Sequence, residues 1–218
     1  MMNKTDSTIR SIRALPFALT NVQLLVAGLG FLPVSGIALH SMHWIGLPVF
    51  TVAVLLPALL LLLFVCKGNL LLAQSVFYGW SFGLVAVLLY DVSRLPFIYM
   101  GWSDFIPRIG GWLTGEEENF LLGYAFRYIG NGGGLGISFL LLMTHYSNRQ
   151  HILLKGLCFG LFVFAMLWMV LLLVPSSQAM MFRLSPLTIA GSLTGHIVYG
   201  LVLGYLARWY FERIPLHQ

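Results

Sequence analysis

Charge is what this sequence has least of. Asp, Glu, Lys and Arg make up 9% of its 218 residues and hydrophobic residues 59%, against about a quarter and about half in soluble domains. A water-covered surface cannot be assembled from that mixture. Cysteine is nearly absent, with only Cys66 and Cys158, which leaves neither a disulfide framework nor a thiolate metal cluster to expect. His-Glu-x-x-His and Glu-x-x-His patterns are missing as well, so no zinc, di-iron or other metal site is expected. The glycines of the GNGGGLG run at 130–136 lack G-x-G-x-x-G spacing and follow no strand, which leaves a dinucleotide site unsupported. No cofactor is predicted. The net charge of +5 comes from Lys and Arg placed singly in short loops, not along a stripe, and nucleic acid is therefore not an expected partner.

What is present is a series of long apolar runs. Six have about the 20-residue length that crosses a hydrocarbon core: Phe17 to Leu39, Leu47 to Val65, Leu70 to Tyr90, Phe120 to Met143, Ile152 to Val174 and Leu187 to Ala207. Backbone in lipid must satisfy its own hydrogen bonds, and these runs are too continuously apolar for barrel strands. The expected fold is all-α, a polytopic transmembrane bundle. Residues 1–16 form an N-terminal segment, 17–208 one transmembrane domain and 209–218 a tail. Lys4, Arg10 and Arg13 ahead of Phe17 look like the start of a signal peptide, but the run that follows is too long for one and reads as a retained first span.

With the N-terminus in the cytoplasm, Lys4, Arg10, Arg13, Lys67, Arg149, Lys155, Arg208 and Arg213 lie inside, against Arg94, Arg108 and Arg183 outside. Eight against three meets the positive-inside rule, with both termini cytoplasmic. Trp44, Tyr99, Trp102 and Trp112 would then form the outer aromatic belt, and Tyr146, Trp209 and Tyr210 the inner one. The one long connection, 91–119, mixes apolar anchors with Asp104 and Arg108; it is expected to lie along the outer interface or dip back toward the bundle.

Two spans carry polar stripes. Arg127 falls near mid-membrane, where an unpaired Arg costs about 2.5 to 3.5 kcal/mol, and Asn131, Gly134 and Ser138 follow it on one helical face. Ser192, His196, Gly200 and Gly204 recur every four residues in the last span, with Gly191 and Gly195 on a neighbouring face. Small residues permit close helix approach, so these two spans are expected to pack near each other. Asp91 and Arg94 stand three apart, close enough to pair. The candidate polar site is therefore Asp91, Arg94, Arg127, Asn131 and His196, with Asp104 and Arg108 as an outer vestibule. Five of the seven carboxylates, Asp91, Asp104 and Glu116 to Glu118, lie on that side. Plainer readings stand beside this one: Arg127 as a brace on Asp91 or Asn131, His196 as an interhelical hydrogen-bonding residue, and the Glu run as a helix N-terminal cap.

Asp91 with Arg94, Arg108 with Gly111, Gly123, and the closing GHIVYGLVLG run of 195–204 resemble a group of uncharacterised small bacterial integral membrane proteins. That resemblance implies a bacterial inner-membrane location and carries over no activity. No residue pattern specifies a reaction, and no catalytic residue is assigned. Three functions fit: a small transporter or permeation pathway through the midplane site; an accessory subunit whose glycine faces bind a partner membrane subunit or a second copy; or a membrane enzyme acting on a lipid-like substrate.

Overall fold

A computed structural model describes residues 21–145 and 150–213. Lys4, Arg10, Arg13, Tyr146 and Arg149 lie outside the described residues, as does the expected start of the first span. Helix is the only regular structure among the described residues. Four helices are long and apolar enough to cross a membrane, or up to five if one bent pair counts as a span.

That pair is α1 (Asn21–Leu29) and α2 (Leu32–Ser41), bent by 41° where Gly30 and Pro33 interrupt the helix. Next comes α3 (Leu47–Lys67), the most apolar helix, in which only Leu47 and Phe50 are buried. It carries Pro57, which can offer no N–H to the preceding turn. A wide turn over Thr51–Leu55 absorbs the defect, with the Leu56 N–H reaching back five residues to the Thr51 carbonyl. A helix so apolar and so uncovered has hydrocarbon as its natural surroundings.

Helix α4 (Leu70–Tyr99) starts at Asn69, whose side chain accepts the Leu72 N–H at 3.0 Å. It runs past the Tyr90 end of the expected span and carries Asp91 and Arg94 on one helical face, as their spacing predicts. Pro96 falls in the last turn without breaking it, and the chain turns at Gly101 with φ of +107°. The rest of the connection holds α5 (Ile106–Thr114), whose Ile106, Ile109, Gly110 and Gly111 are buried. It is a packed cap over one end of the bundle and no loose tether.

Helix α6 covers 120–145 without interruption, as Phe120–Ala125, a wide turn over Phe126–Gly132, and Gly133–His145. Arg127, Asn131 and the glycines dilute its apolar character. Asn119 caps it by accepting the Leu122 N–H at 3.1 Å. Asn119→Ala should cost about 1 kcal/mol of stability, read as a shift in the unfolding midpoint in detergent. The chain closes with α7 (Ile152–Leu173), the short α8 (Pro175–Met180) and α9 (Pro186–Arg213).

Glycine decides which helices meet. A Cβ on Gly83 would strike the Gly132 backbone, and one on Gly136 the Gly79 carbonyl, so α4 and α6 touch main chain to main chain. Gly156 and Gly160 of α7 meet Gly200, Gly204 and the His196 carbonyl of α9 in the same way. The stripes on α6 and α9 therefore serve different neighbours. α6 packs chiefly on α4, and α9 on α7 and α4; α6 and α9 still meet, as expected, along a smaller contact that includes a bond from the Tyr199 hydroxyl to the Gly132 carbonyl at 3.0 Å. Two of the expected belt aromatics are interior: Trp102 is buried, and Tyr210 is buried with its hydroxyl 3.2 Å from Ser75 Oγ.

Candidate functional site

The ionisable residues form a ladder at the α5 end of the bundle. Arg127 on α6 grips Asp91 on α4, with Nε 3.0 Å from both carboxylate oxygens and Nη2 2.5 Å from Oδ1. Its guanidinium also lies over the Tyr90 ring at 4.7 Å, a geometry in which the ring face attracts the cation. Tyr128 lies near the same Asp91 carboxylate. Arg94 lies one turn along α4, almost wholly buried at 1% exposure, with Nε 4.0 Å from Asp91 and Nη2 2.7 Å from Asp104 Oδ1. Trp102 and Phe105 cover it, their ring centres 5.3 and 6.0 Å from its guanidinium carbon. Asp104 in turn accepts from the Tyr124 hydroxyl at 2.7 Å and from the Ile106 N–H at 3.2 Å, which fixes the start of α5. Two guanidinium groups face two carboxylates, so the ladder carries no net charge.

Beside the ladder lies a cavity of about 240 Å³ lined by residues of α2, α4, α5, α6, α7 and α9. Its walls differ. The α7 wall is apolar, from Phe162 to Val170, whereas Arg127 and Asn131 of α6 with His196 and Tyr199 of α9 make a polar wall. His196 Nδ1 is 2.7 Å from the Ser192 carbonyl oxygen. A carbonyl can only accept, so Nδ1 carries the hydrogen and Nε2 of the neutral ring holds a lone pair. The Tyr90 and Phe164 rings meet the imidazole edge-on, with centroids 5.1 and 5.5 Å away. Asn131 Oδ1 is buried and has no hydrogen-bond partner among the described residues.

Of the five residues expected in the polar site, Arg127, Asn131 and His196 share this cavity, while Asp91 and Arg94 stand behind it in the ladder. Asn131 does not brace Arg127, and His196 bonds to its own helix and not across to another. The vestibule does not form as a unit. Asp104 points inward to Arg94, whereas Arg108 lies 3.6 Å from Glu118 and donates to the Ala179 carbonyl at 3.5 Å. Sequence reasoning missed the tyrosines that complete the site. Tyr124 and Tyr128 sit four apart on α6, a spacing that flags a shared face, and Tyr199 lies three beyond His196. His40 accepts the Leu47 N–H on Nδ1 at 3.1 Å and packs on Trp112. Among the described residues no three His, Cys, Asp or Glu side chains gather to hold a metal.

Comparison with protein-family models, curated proteins and solved structures finds no match to this chain.

Proposed function

We propose that this chain is an integral membrane protein of six spans that binds a lipid-like molecule inside its helical bundle and carries it through the membrane. The six spans comprise the bent α1–α2 pair, α3, α4, α6, α7 and α9. The charge bias supports cytoplasmic termini in a bacterial inner membrane, with α5 on the outer side.

The observation that carries the reading is the two-sided cavity of about 240 Å³. A cavity of about 150 Å³ lined with apolar side chains accommodates benzene, so this one suits a single apolar chain and not a whole two-chain lipid. An apolar wall opposite a few convergent polar groups is how small-molecule sites fix orientation. Phe162 and Met166 line the cavity and are also half-exposed on the bundle surface, which supports entry sideways from hydrocarbon between α2 and α7. The wide turn carrying Arg127 adds weight, because such turns recur at functional sites.

A membrane enzyme acting on the same kind of molecule is the second reading, favoured by the lone pair on His196 Nε2, which is suited to a general base. Gly79, Gly83, Gly132, Gly136, Gly156, Gly160, Gly200 and Gly204 pack within the chain, so an accessory subunit would have to meet its partner through other faces.

Mass spectrometry of protein extracted in mild detergent should detect one lipid-like adduct per chain. Ala38→Phe places a ring in the cavity without touching the ladder and should weaken that binding by about tenfold or more, since each displaced methylene is worth about 0.8 kcal/mol. Undiminished binding in that variant, with the fold intact, would place the ligand elsewhere and overturn the reading.

A further inference from the structure

We infer that the polar end of the ligand is an uncharged hydrogen-bond donor, of the long-chain alcohol class, an inference that rests on the lipid-binding reading above. It follows from an inventory of what the polar wall has left to offer. The cation that would attract an anionic head is already matched: Arg127 spends Nε and Nη2 on Asp91, and Arg94 is held by Asp104. A carboxylate or phosphate entering the cavity would leave water for a site with no net charge to receive it, next to Asp91 itself.

Two of the hydroxyls lining the cavity are already engaged as donors. Tyr199 donates to the Gly132 carbonyl, and Ser35 donates to the Phe31 carbonyl at 3.0 Å. What remains includes two acceptors that only a donor can satisfy. His196 has committed its one hydrogen to Ser192 and presents a lone pair on Nε2, while the Asn131 amide has a buried oxygen that nothing among the described residues satisfies. The matching donor, Arg127 Nη1, has no protein partner among the described residues. A hydroxyl is the smallest head that fits this set, giving its hydrogen to His196 or Asn131 while its oxygen accepts from Arg127. An ether of the same length can accept but leaves both acceptors unpaired, and a site with buried unpaired groups rejects such an analogue.

The test compares decanol, its methyl ether and decanoate, each titrated against the full chain in detergent near neutral pH and counted as bound adducts by native mass spectrometry. Decanol should bind about tenfold more tightly than the ether, the value of one hydrogen bond, and more tightly than decanoate. Equal binding of alcohol and ether would overturn the donor assignment while leaving the lipid reading intact, as would tighter binding of decanoate. Binding of none of the three would sink the lipid reading itself. His196→Phe and Asn131→Leu then locate the acceptor: the alcohol preference should vanish in at least one. Its survival in both would overturn the assignment to this wall. The ligand series on the unaltered protein stands whether or not those variants fold.

Discussion

Asp91→Asn should destabilise the folded bundle by about 3 to 5 kcal/mol, the cost of leaving a buried charge without its partner. The substitution keeps the shape of the side chain and removes only its charge. Arg127 would then face a neutral amide, and Arg94 would retain Asp104 alone, so the buried ladder would carry an excess positive charge. Arg127→Met on its own should be nearly as harmful, because Asp91 would be left with Arg94 at 4.0 Å as its only cation. The double variant Asp91→Leu with Arg127→Met removes both charges together and leaves the Arg94–Asp104 pair untouched. Its stability should return to near that of the parent, since a buried ion pair replaced by apolar residues is often neutral or stabilising. Equilibrium unfolding in mixed micelles of the parent, Asp91→Leu, Arg127→Met and the double variant closes the cycle and gives the coupling between the two residues directly. A double variant as unstable as the sum of the singles would show that the pair does not act as a pair. Retained stability but lost ligand binding in the double variant would separate the functional role of Arg127 from its structural one.

The membrane character of this chain is legible in its sequence because it depends on residue type alone. Caps such as Asn69 and Asn119 and the need of Arg127 for a counter-ion follow from local rules. Partner choice does not. The glycines at 132–136 and at 191–204 mark faces that permit close approach, but helical periodicity names a face and not the helix that will occupy it. That is why α6 turned to α4 and α9 to α7. Asp104 and Arg108 illustrate a related limit. Four residues apart on one helix, they would share a face, but α5 begins only at Ile106. Asp104 therefore lies ahead of the helix, turned inward to cap it, while Arg108 lies on the helix and turns out. Trp102 and Tyr210 went astray for a third reason: aromatic type marks an interface only where the chain is at the surface, and both are buried by neighbours distant in sequence. The cavity was illegible for the same reason, since six helices contribute to it and no local pattern records the gap they leave.

Gly156→Leu and Gly200→Leu should each prevent close packing of α7 on α9 and cost about 3 kcal/mol or more. A Cβ on Gly156 would meet the Gly200 carbonyl oxygen and lie 2.8 Å from the Gly204 Cα and N, while one on Gly200 would meet the Gly156 carbonyl oxygen. These are main-chain atoms, so no rotamer change relieves the collision and the helices must part. Gly28 provides the control: nothing lies within 4 Å of a Cβ built there, so Gly28→Ala in α1 should be neutral or stabilising by about 0.5 to 1 kcal/mol. Once α7 and α9 have separated, the second substitution finds room already made. The Gly156→Leu, Gly200→Leu double variant should therefore cost less than the two singles combined. The displacement also bears on function, because α7 supplies the apolar wall of the cavity and α9 supplies His196 and Tyr199 opposite it. Gly160→Ala, whose Cβ meets the His196 carbonyl, adds a single methyl at that seam. It should shift the α9 backbone at His196 and weaken ligand binding more than it lowers the unfolding midpoint, whereas a change confined to stability would argue that the spacing of the two walls does not tune the site.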